Sequence, residues 1–216
     1  MTNETAGTGP RIDAVEGGPL KVSGVTSMEV PGNAAAETGP VMFLCRCGQS
    51  RSKPFCDGSH AAAGFTGTGG EPAGHDRVFA FRGTAATVTF NPRLCAHAAE
   101  CLRTAPEAFD VRRKPWILPD NGPFEAIVAA VRACPSGALK ITEPEEIGPD
   151  LFPAGRAQIV VQRNGPYWVL DVAPPAPPQG KGMTTRKYVL CRCGLSGTKP
   201  FCDGTHHDRR WRDSEA

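Results

Sequence analysis

Residues 45–60 read CRCGQSRSKPFCDGSH, and residues 191–206 read CRCGLSGTKPFCDGTH. In both stretches, three cysteines and one histidine follow the same pattern, C-x-C-x8-C-x3-H. Thiolates and an imidazole gathered by a short loop rich in glycine and proline are typical ligands of a zinc ion or an iron–sulfur cluster. Because the pattern occurs twice with identical spacing, the sequence predicts two metal sites. Their predicted ligands are Cys45, Cys47, Cys56 and His60 in the first site and Cys191, Cys193, Cys202 and His206 in the second.

The duplication extends upstream of these loops. Residues 17–24 (GGPLKVSG) and 164–171 (NGPYWVLD) match each other, and two further predicted strands, Val41–Leu44 and Lys187–Leu190, lead directly into the cysteine pairs. Polar–apolar alternation around Gly-Pro turns predicts short strands. Each copy is therefore predicted to consist of two or three short strands followed by a metal-binding loop.

Between the copies lies a different module, which is predicted to mix strands with one helix. A hairpin is predicted around Gly83, and a last strand over Ala138–Thr142. The spacing of Phe124, Ile127, Val128 and Val131 predicts an amphipathic helix that ends at Cys134-Pro135. The predicted fold class is α+β, with two small β-rich modules flanking this central one. The predicted division is 11–60 (first copy), 61–76 (linker), 77–143 (central module), 144–155 (linker) and 156–207 (second copy).

Composition excludes several classes of function. The net charge is only +2 and the sequence contains no block of basic residues, so nucleic-acid binding is not predicted. The longest apolar run, Ala126–Val131, is far too short to span a membrane. No secretory leader is recognisable, and an odd number of cysteines, nine, argues against a complete disulfide framework, so a reducing cytoplasmic location is expected. No phosphate-binding glycine motif or catalytic set is present, so no enzymatic activity is predicted.

The cysteines of the central module form a third group. Cys95 and Cys101 are spaced like the first and third cysteines of a bacterial ferredoxin loop, and Cys134 precedes a proline like its remote cysteine. Ala98 stands at the middle position. Three thiolates suit a [3Fe–4S] cluster, or a [4Fe–4S] cluster whose fourth iron takes His97, solvent or a small ligand. The alternative is three buried structural cysteines.

Ligand identity does not separate zinc from iron–sulfur at the duplicated loops, because both accept three cysteines and a histidine. The C-x-C pair is tighter than the C-x2-4-C pair of structural zinc sites. Asp57 and Asp203 are predicted to be the N-cap residues of short helices whose amides face the sulfurs, which favours an anionic cluster. Arg46 and Arg192 recur at equivalent places and are predicted to offset its charge.

Both loops match the signature C-x-C-x2-[ST]-x3-P-x-C-D-G-[SAT]-H and so resemble the CDGSH iron–sulfur family, the mitoNEET-like proteins. Ser50 and Ser196 stand at the Ser/Thr position of the signature, and Pro54 and Pro200 stand at its proline. This resemblance covers roughly half of the chain. It implies one [2Fe–2S] cluster per motif, held by the eight residues named above. It also implies that two motifs pair about a twofold axis, which here would form an intramolecular pseudo-dimer in a monomer.

The central module resembles a divergent single-cluster ferredoxin-like domain, on the evidence of C-x-H-x3-C, the RKPW of Arg113–Trp116 and CPSGAL from Cys134. That resemblance implies that Cys95, Cys101 and Cys134 bind the third cluster.

Together the two resemblances imply an iron–sulfur protein that acts in electron transfer and has another redox protein as its partner. The alternative function is storage or transfer of clusters, sensitive to redox state or pH, with an apo-protein acceptor as partner. A structural zinc protein is the third possibility.

Overall fold

The structure is a computed structural model, and it describes residues 9–32, 36, 38–143 and 158–213. The predicted linker 144–155 and the first two residues of the predicted second copy, 156–157, lie outside the described residues. None of the helices in the described part of the chain has the length and apolar character needed to span a lipid bilayer.

The described residues form short strands together with a few helices, which confirms the predicted α+β class. The strands are β1 (Arg11–Ala14), β2 (Leu20–Ser23), β3 (Met28–Glu29), β4 (Val41–Leu44), β5 (Phe79–Arg82), β6 (Thr87–Phe90), β7 (Leu139–Glu143), β8 (Gln158–Val161), β9 (Tyr167–Leu170) and β10 (Lys187–Leu190). The helices are α1 (Ser59–Ala62), α2 (Glu100–Thr104), α3 (Phe124–Ala133) and α4 (Thr205–Asp208). Strands β4 and β10 have the bounds predicted from the sequence.

Backbone pairing joins the two copies. The first copy forms a sheet in the order β1-β2-β4, and the second forms β10-β9-β8, to which β3 of the first copy adds as an edge strand parallel to β8. In return, Arg11 of β1 bridges Ala173 of the second copy. The first copy thus adds a strand to the sheet of the second, and an isolated bridge joins β1 to the second copy.

Alternating burial along the strands directs one face of both sheets into a shared core. Met42 and Leu44 point into it from β4, while Val41 and Phe43 point outward. The core draws on both copies: Ile12, Leu20, Val22, Val25, Met28, Met42 and Leu44 from the first, and Ile159, Val161, Tyr167, Val169, Val172, Tyr188, Leu190 and Phe201 from the second. The two units therefore fold as one body.

The central module has its own sheet, β5-β6-β7, and its own core. The predicted hairpin is present as β5 and β6, and the predicted helix is α3, which buries Ile127, Val128 and Val131. Trp116 packs edge-on to Phe90, with ring centroids 5.0 Å apart. Helix α3 ends immediately before Cys134, so the core positions that thiol.

One buried hydroxyl ties the second copy to the metal loop of the first. Tyr167, on β9, donates a hydrogen bond to the carbonyl of Cys45 at 2.7 Å. Tyr188, on β10, instead donates to the carbonyl of Val172 within its own copy, at 3.0 Å. Both side chains are buried.

We expect Tyr167→Phe to lower the free energy of unfolding by about 1 to 3 kcal/mol, because a buried carbonyl loses its donor. It should also speed iron loss from the first loop, since Cys45 belongs to that loop. Iron release to a chelator and the thermal midpoint would be measured. Tyr188→Phe is the matched control, and iron release equally fast in both variants would contradict a link between the copies.

Candidate metal centres

Each duplicated loop begins directly after a strand and ends in a short helix. Cys45 follows β4 and Cys191 follows β10, while α1 and α4 carry His60 and His206. In the first loop Sγ of Cys45 lies 3.7 Å from Sγ of Cys47, and Sγ of Cys56 lies 3.4 Å from Nδ1 of His60. The equivalent distances in the second loop are 3.8 and 3.3 Å. The structure thus brings the predicted ligands of each loop together as two close pairs.

Side-chain hydrogen bonds hold each loop in shape. Ser50 donates to the carbonyl of Phe55 at 2.6 Å, and Ser196 donates to the carbonyl of Phe201 at 2.7 Å. The hydroxyl required by the motif therefore closes the loop on itself in both copies.

The recurring arginines fix the loops to the preceding Gly-Pro turns. Nε of Arg46 donates to the carbonyl of Gly18 at 2.8 Å, and Nε of Arg192 donates to that of Gly165 at 2.9 Å. Both guanidinium groups are buried. Burial lowers the pKa of Arg46, an effect opposed by the nearby thiols of Cys191 and Cys47. The arginines thus orient the loops and also place positive charge beside the sulfurs.

The predicted N-cap assignment is wrong by one residue. Gly58 and Gly204 occupy the N-cap positions of α1 and α4, with left-handed φ angles of 87° and 88°. The Asp57 carboxylate instead accepts backbone hydrogen bonds from Arg51 and Ser59, at 2.8 and 3.0 Å. Those amides lie on both sides of Cys56, so Asp57 links the first residue of α1 to the earlier part of the loop from the position before the N-cap.

The two loops contact each other closely at their C-x-C pairs. Cys47 and Cys193 form an antiparallel β-bridge. A Cβ atom at Gly48 would lie 2.5 Å from the carbonyl oxygen of Cys193, and one at Gly194 would lie 2.5 Å from that of Cys47. Only glycine allows this mutual approach.

The two loops differ sharply in exposure. In the first, Cys56 and His60 are half-buried and Asp57 is exposed. In the second, Cys202 is 4% exposed, Asp203 1% and His206 7%. Burial lowers the pKa of His206 to about 4, so that imidazole is neutral at pH 7 and can bind a metal.

The difference arises because the central module and the end of the first linker cover the second loop; within the linker, the amide of Ala73 donates to the Asp203 carboxylate at 3.0 Å. A Cβ atom at Gly204 would lie 2.8 Å from the carbonyl oxygen of Cys95, whereas one at Gly58 would have no atom within 4 Å. Ala96, Val189 and Cys202 form a buried apolar cluster against which Trp168 packs. Sequence analysis missed this contact. Its only signal was the difference between copies, since Trp168 and Val189 replace Lys21 and Phe43.

The three cysteines of the central module line one small cavity between α2, α3 and the Cys95 loop. Trp116 and Leu139 are among its apolar walls. Burial raises the pKa of Cys95 to about 12 and that of Cys101 to about 11. Converging thiols in such an apolar cavity become thiolates when a metal supplies the compensating positive charge, so this donor set fits an iron–sulfur cluster.

His97 turns away from this cavity. Among the described residues, it is not one of those lining the cavity; its ring stacks on His207, with centroids 4.7 Å apart. The backbone at His97 is left-handed, with a φ angle of 53°, which directs the side chain toward the second copy. The structure therefore gives no support to His97 as a fourth ligand and places it in the contact between modules.

The donor sets of the duplicated loops also fit an iron–sulfur cluster. Backbone amides approach the sulfurs: those of Gln49 and Leu195 lie 3.4 Å from Sγ of Cys47 and Cys193, respectively. Burial raises the pKa of Cys47, and repulsion from Cys45 and Cys56 adds to this effect. Such amide donors stabilise anionic sulfur and tune cluster potentials.

Comparison with known families agrees with this geometry. The family model described as "Iron-binding zinc finger CDGSH type" matches residues 17–61 and 164–207, and the model described as "Divergent 4Fe-4S mono-cluster" matches residues 81–144. The chain belongs to the CDGSH-type iron-binding family. Its two CDGSH domains flank a divergent 4Fe-4S mono-cluster domain, as the sequence predicted.

Curated relatives of this CDGSH-type protein include the uncharacterized protein YjdI of Escherichia coli K12 and that of Escherichia coli O157:H7. Each is 40% identical over 60 residues, which cover 28% of this chain and 79% of YjdI. No solved structure matches the chain.

We expect Gly204→Ala to detach the central module from the second loop, because the new methyl group would overlap the Cys95 carbonyl. Hydrogen exchange of the amides at 95–101 should accelerate at least about tenfold, equivalent to about 1.4 kcal/mol. Gly58→Ala imposes a nearly identical left-handed strain without the overlap and is the matched control. Equal protection of these amides in the two variants would contradict the docked arrangement.

Proposed function

We propose that this protein is a one-electron carrier with two [2Fe–2S] clusters and one [3Fe–4S] or [4Fe–4S] cluster. The proposed ligands are Cys45, Cys47, Cys56 and His60 for the first [2Fe–2S] cluster, Cys191, Cys193, Cys202 and His206 for the second, and Cys95, Cys101 and Cys134 for the third. Its role is to bind and carry rather than to catalyse, in keeping with iron–sulfur families.

The observation that carries this proposal is the serial contact of the three cysteine-bearing loops. The Cys95 loop packs on the Cys202 loop through Ala96, and the second loop bridges the first through Cys193 and Cys47. A structural metal protein has no need to bring its three sites into contact, whereas a carrier that moves electrons between them does.

The residues of this chain would serve transfer in two ways. Iron–sulfur clusters accept and release single electrons when bound. The buried thiols and the hydrogen-bonded loops exclude water and hold the ligands fixed, so little reorganisation accompanies a change of charge. Histidine in place of a fourth thiolate removes one negative charge and so favours the reduced state, as the two histidines of Rieske centres do.

We further propose a monomeric protein in the cytoplasm whose partner is another redox protein. Neither nucleic acid nor a membrane enters this function. The intramolecular pairing of the CDGSH loops supports the monomer, because each loop already contacts its counterpart.

Chemical analysis tests the cluster content. Anaerobically purified protein should contain about seven irons and about eight sulfides per chain if the central cluster is [3Fe–4S], or about eight of each if it is [4Fe–4S]. Cys134→Ser should leave about four irons, because only the central cluster loses a ligand. Cys101→Ser should behave in the same way. Zinc without sulfide in the parent protein would overturn the proposal.

Cluster transfer is the second candidate function, favoured by the half-buried Cys56 and His60 of the first loop. The two functions differ in what a partner receives. An electron carrier should reduce oxidised cytochrome c while keeping its iron, and an apo-ferredoxin incubated with it should gain no visible spectrum. A cluster donor would instead lose its own spectrum as the apo-ferredoxin gains one.

A further inference from the structure

The second CDGSH domain has a docked module on its outer surface, whereas the equivalent surface of the first is not covered by any of the residues that the structure describes. In the second copy, the outward side chains of β9 and β10 include Trp168, Lys187 and Val189. Val189 is 3% exposed and packs on Ala96 of the central module. Lys187 is buried, and its Nζ donates to the carbonyls of Val131 and Arg132 at the end of α3, at 3.3 and 3.4 Å.

Strand register identifies the matching side chains of the first copy. Trp168 pairs with Val189 across β9 and β10, and Lys21 pairs with Phe43 across β2 and β4. Val41 stands where the second copy has Lys187. We call the outward side chains Lys21, Val41 and Phe43 the β4 face.

Two of the three side chains of the β4 face are apolar and exposed, and the face lies next to a predicted ligand. Val41 is 44% exposed and Phe43 is 46% exposed. The backbone amide of Cys56 donates to the carbonyl of Phe43 at 2.9 Å, so the face borders the first metal loop. A bare apolar surface beside a redox site is typical of a docking surface.

We propose that the β4 face is the docking site for a separate electron-transfer protein that presents an apolar loop beside its own cofactor. The central module is the internal template, because it presents Ala96, next to Cys95, to the equivalent surface of the second copy. Because the register is shared, the β4 face occupies the position that this cysteine-bearing loop covers in the second copy, with Lys21, Val41 and Phe43 in place of Trp168, Lys187 and Val189. This inference rests on the proposed function as an electron carrier.

Docking at this face would connect the electron path inside the protein to an external partner. Electrons pass between the central module and the second copy inside the protein, and between the first copy and the partner at the β4 face. Each exchange with a reduced partner moves one electron: the partner is oxidised by one electron and this protein is reduced by one. No proton or atom is transferred.

The first test uses a photoreduced plant-type [2Fe–2S] ferredoxin as the probe, mixed with the oxidised full-length holoprotein. We expect Phe43→Asp to lower the second-order rate constant of electron transfer by at least about tenfold, because a carboxylate would be desolvated at the centre of the contact. Val111→Asp is the matched control. Val111 is 66% exposed on the central module, so the same charge is added at an apolar site away from the face. Its rate constant should stay within about twofold of the parent value.

A second variant and a second type of measurement test the same docking site independently. Val41→Asp should repeat the effect of Phe43→Asp, and both variants should retain the parent iron and sulfide content. Independently of activity, Phe43→p-benzoylphenylalanine should photo-cross-link to the ferredoxin, whereas Val111→p-benzoylphenylalanine should not.

The outcomes distinguish failure of the docking proposal from failure of the proposed electron-carrier function. If the parent accepts electrons and both aspartate variants react at its rate, the docking proposal is overturned and the carrier function stands. Cross-linking from position 43 to a second copy of this chain, with a dimer in sedimentation, would also overturn it by identifying a self-interface. If the parent accepts no electron from the ferredoxin, both proposals fall.

Discussion

The rest of the structure depends on a shared hydrophobic core that neither copy of the duplicated unit forms alone. Each copy offers only a few short strands with one apolar face, too little surface to stabilise a domain of its size. Pairing of β3 with β8, together with the bridge from Arg11 to Ala173, brings the two apolar faces together. Everything that positions the metal loops follows from this merger, since β4 and β10 enter the core just before their cysteine pairs.

The merger also sets how closely the loops approach each other. Gly48 and Gly194 each lie against the backbone of the opposite C-x-C pair, and Tyr167 reaches across to the Cys45 carbonyl. Two sites that are separated by over a hundred residues in sequence become neighbours. The tie is asymmetric, because the first copy has Leu20 where the second has Tyr167.

A second asymmetry gives the two loops different surroundings. Contact with the central module buries Cys202 and His206, while Cys56 and His60 remain accessible to solvent. The buried loop is protected from water and from ligand exchange, and the accessible loop is suited to meet a partner. Duplication supplied two equal sites, and the inserted module made them unequal.

Much of the fold was legible from residue patterns. The apolar spacing in α3 predicted that helix because a local hydrophobic period directs one face inward, and the apolar run directly before the first cysteine pair predicted β4. The Asp57 cap was predicted wrongly, because an aspartate before glycine can cap a helix or close a loop, and only the positions of the surrounding amides decide between the two. The position of His97 also depended on the backbone. In sequence it lies one residue from Ala98, the middle position of the ferredoxin-like loop, but its backbone is left-handed and its side chain stacks on His207.

The sequence by itself determined the chemistry of the chain, because soft thiolates and imidazoles at fixed spacing within short loops are a local property. It therefore predicted the family, the three groups of candidate ligands and the α+β class. Only the tertiary structure decided that the three loops touch in series, that His97 lies between modules and that one CDGSH surface is covered while its twin is bare. Those outcomes depend on contacts between residues far apart in the chain, which no local pattern encodes.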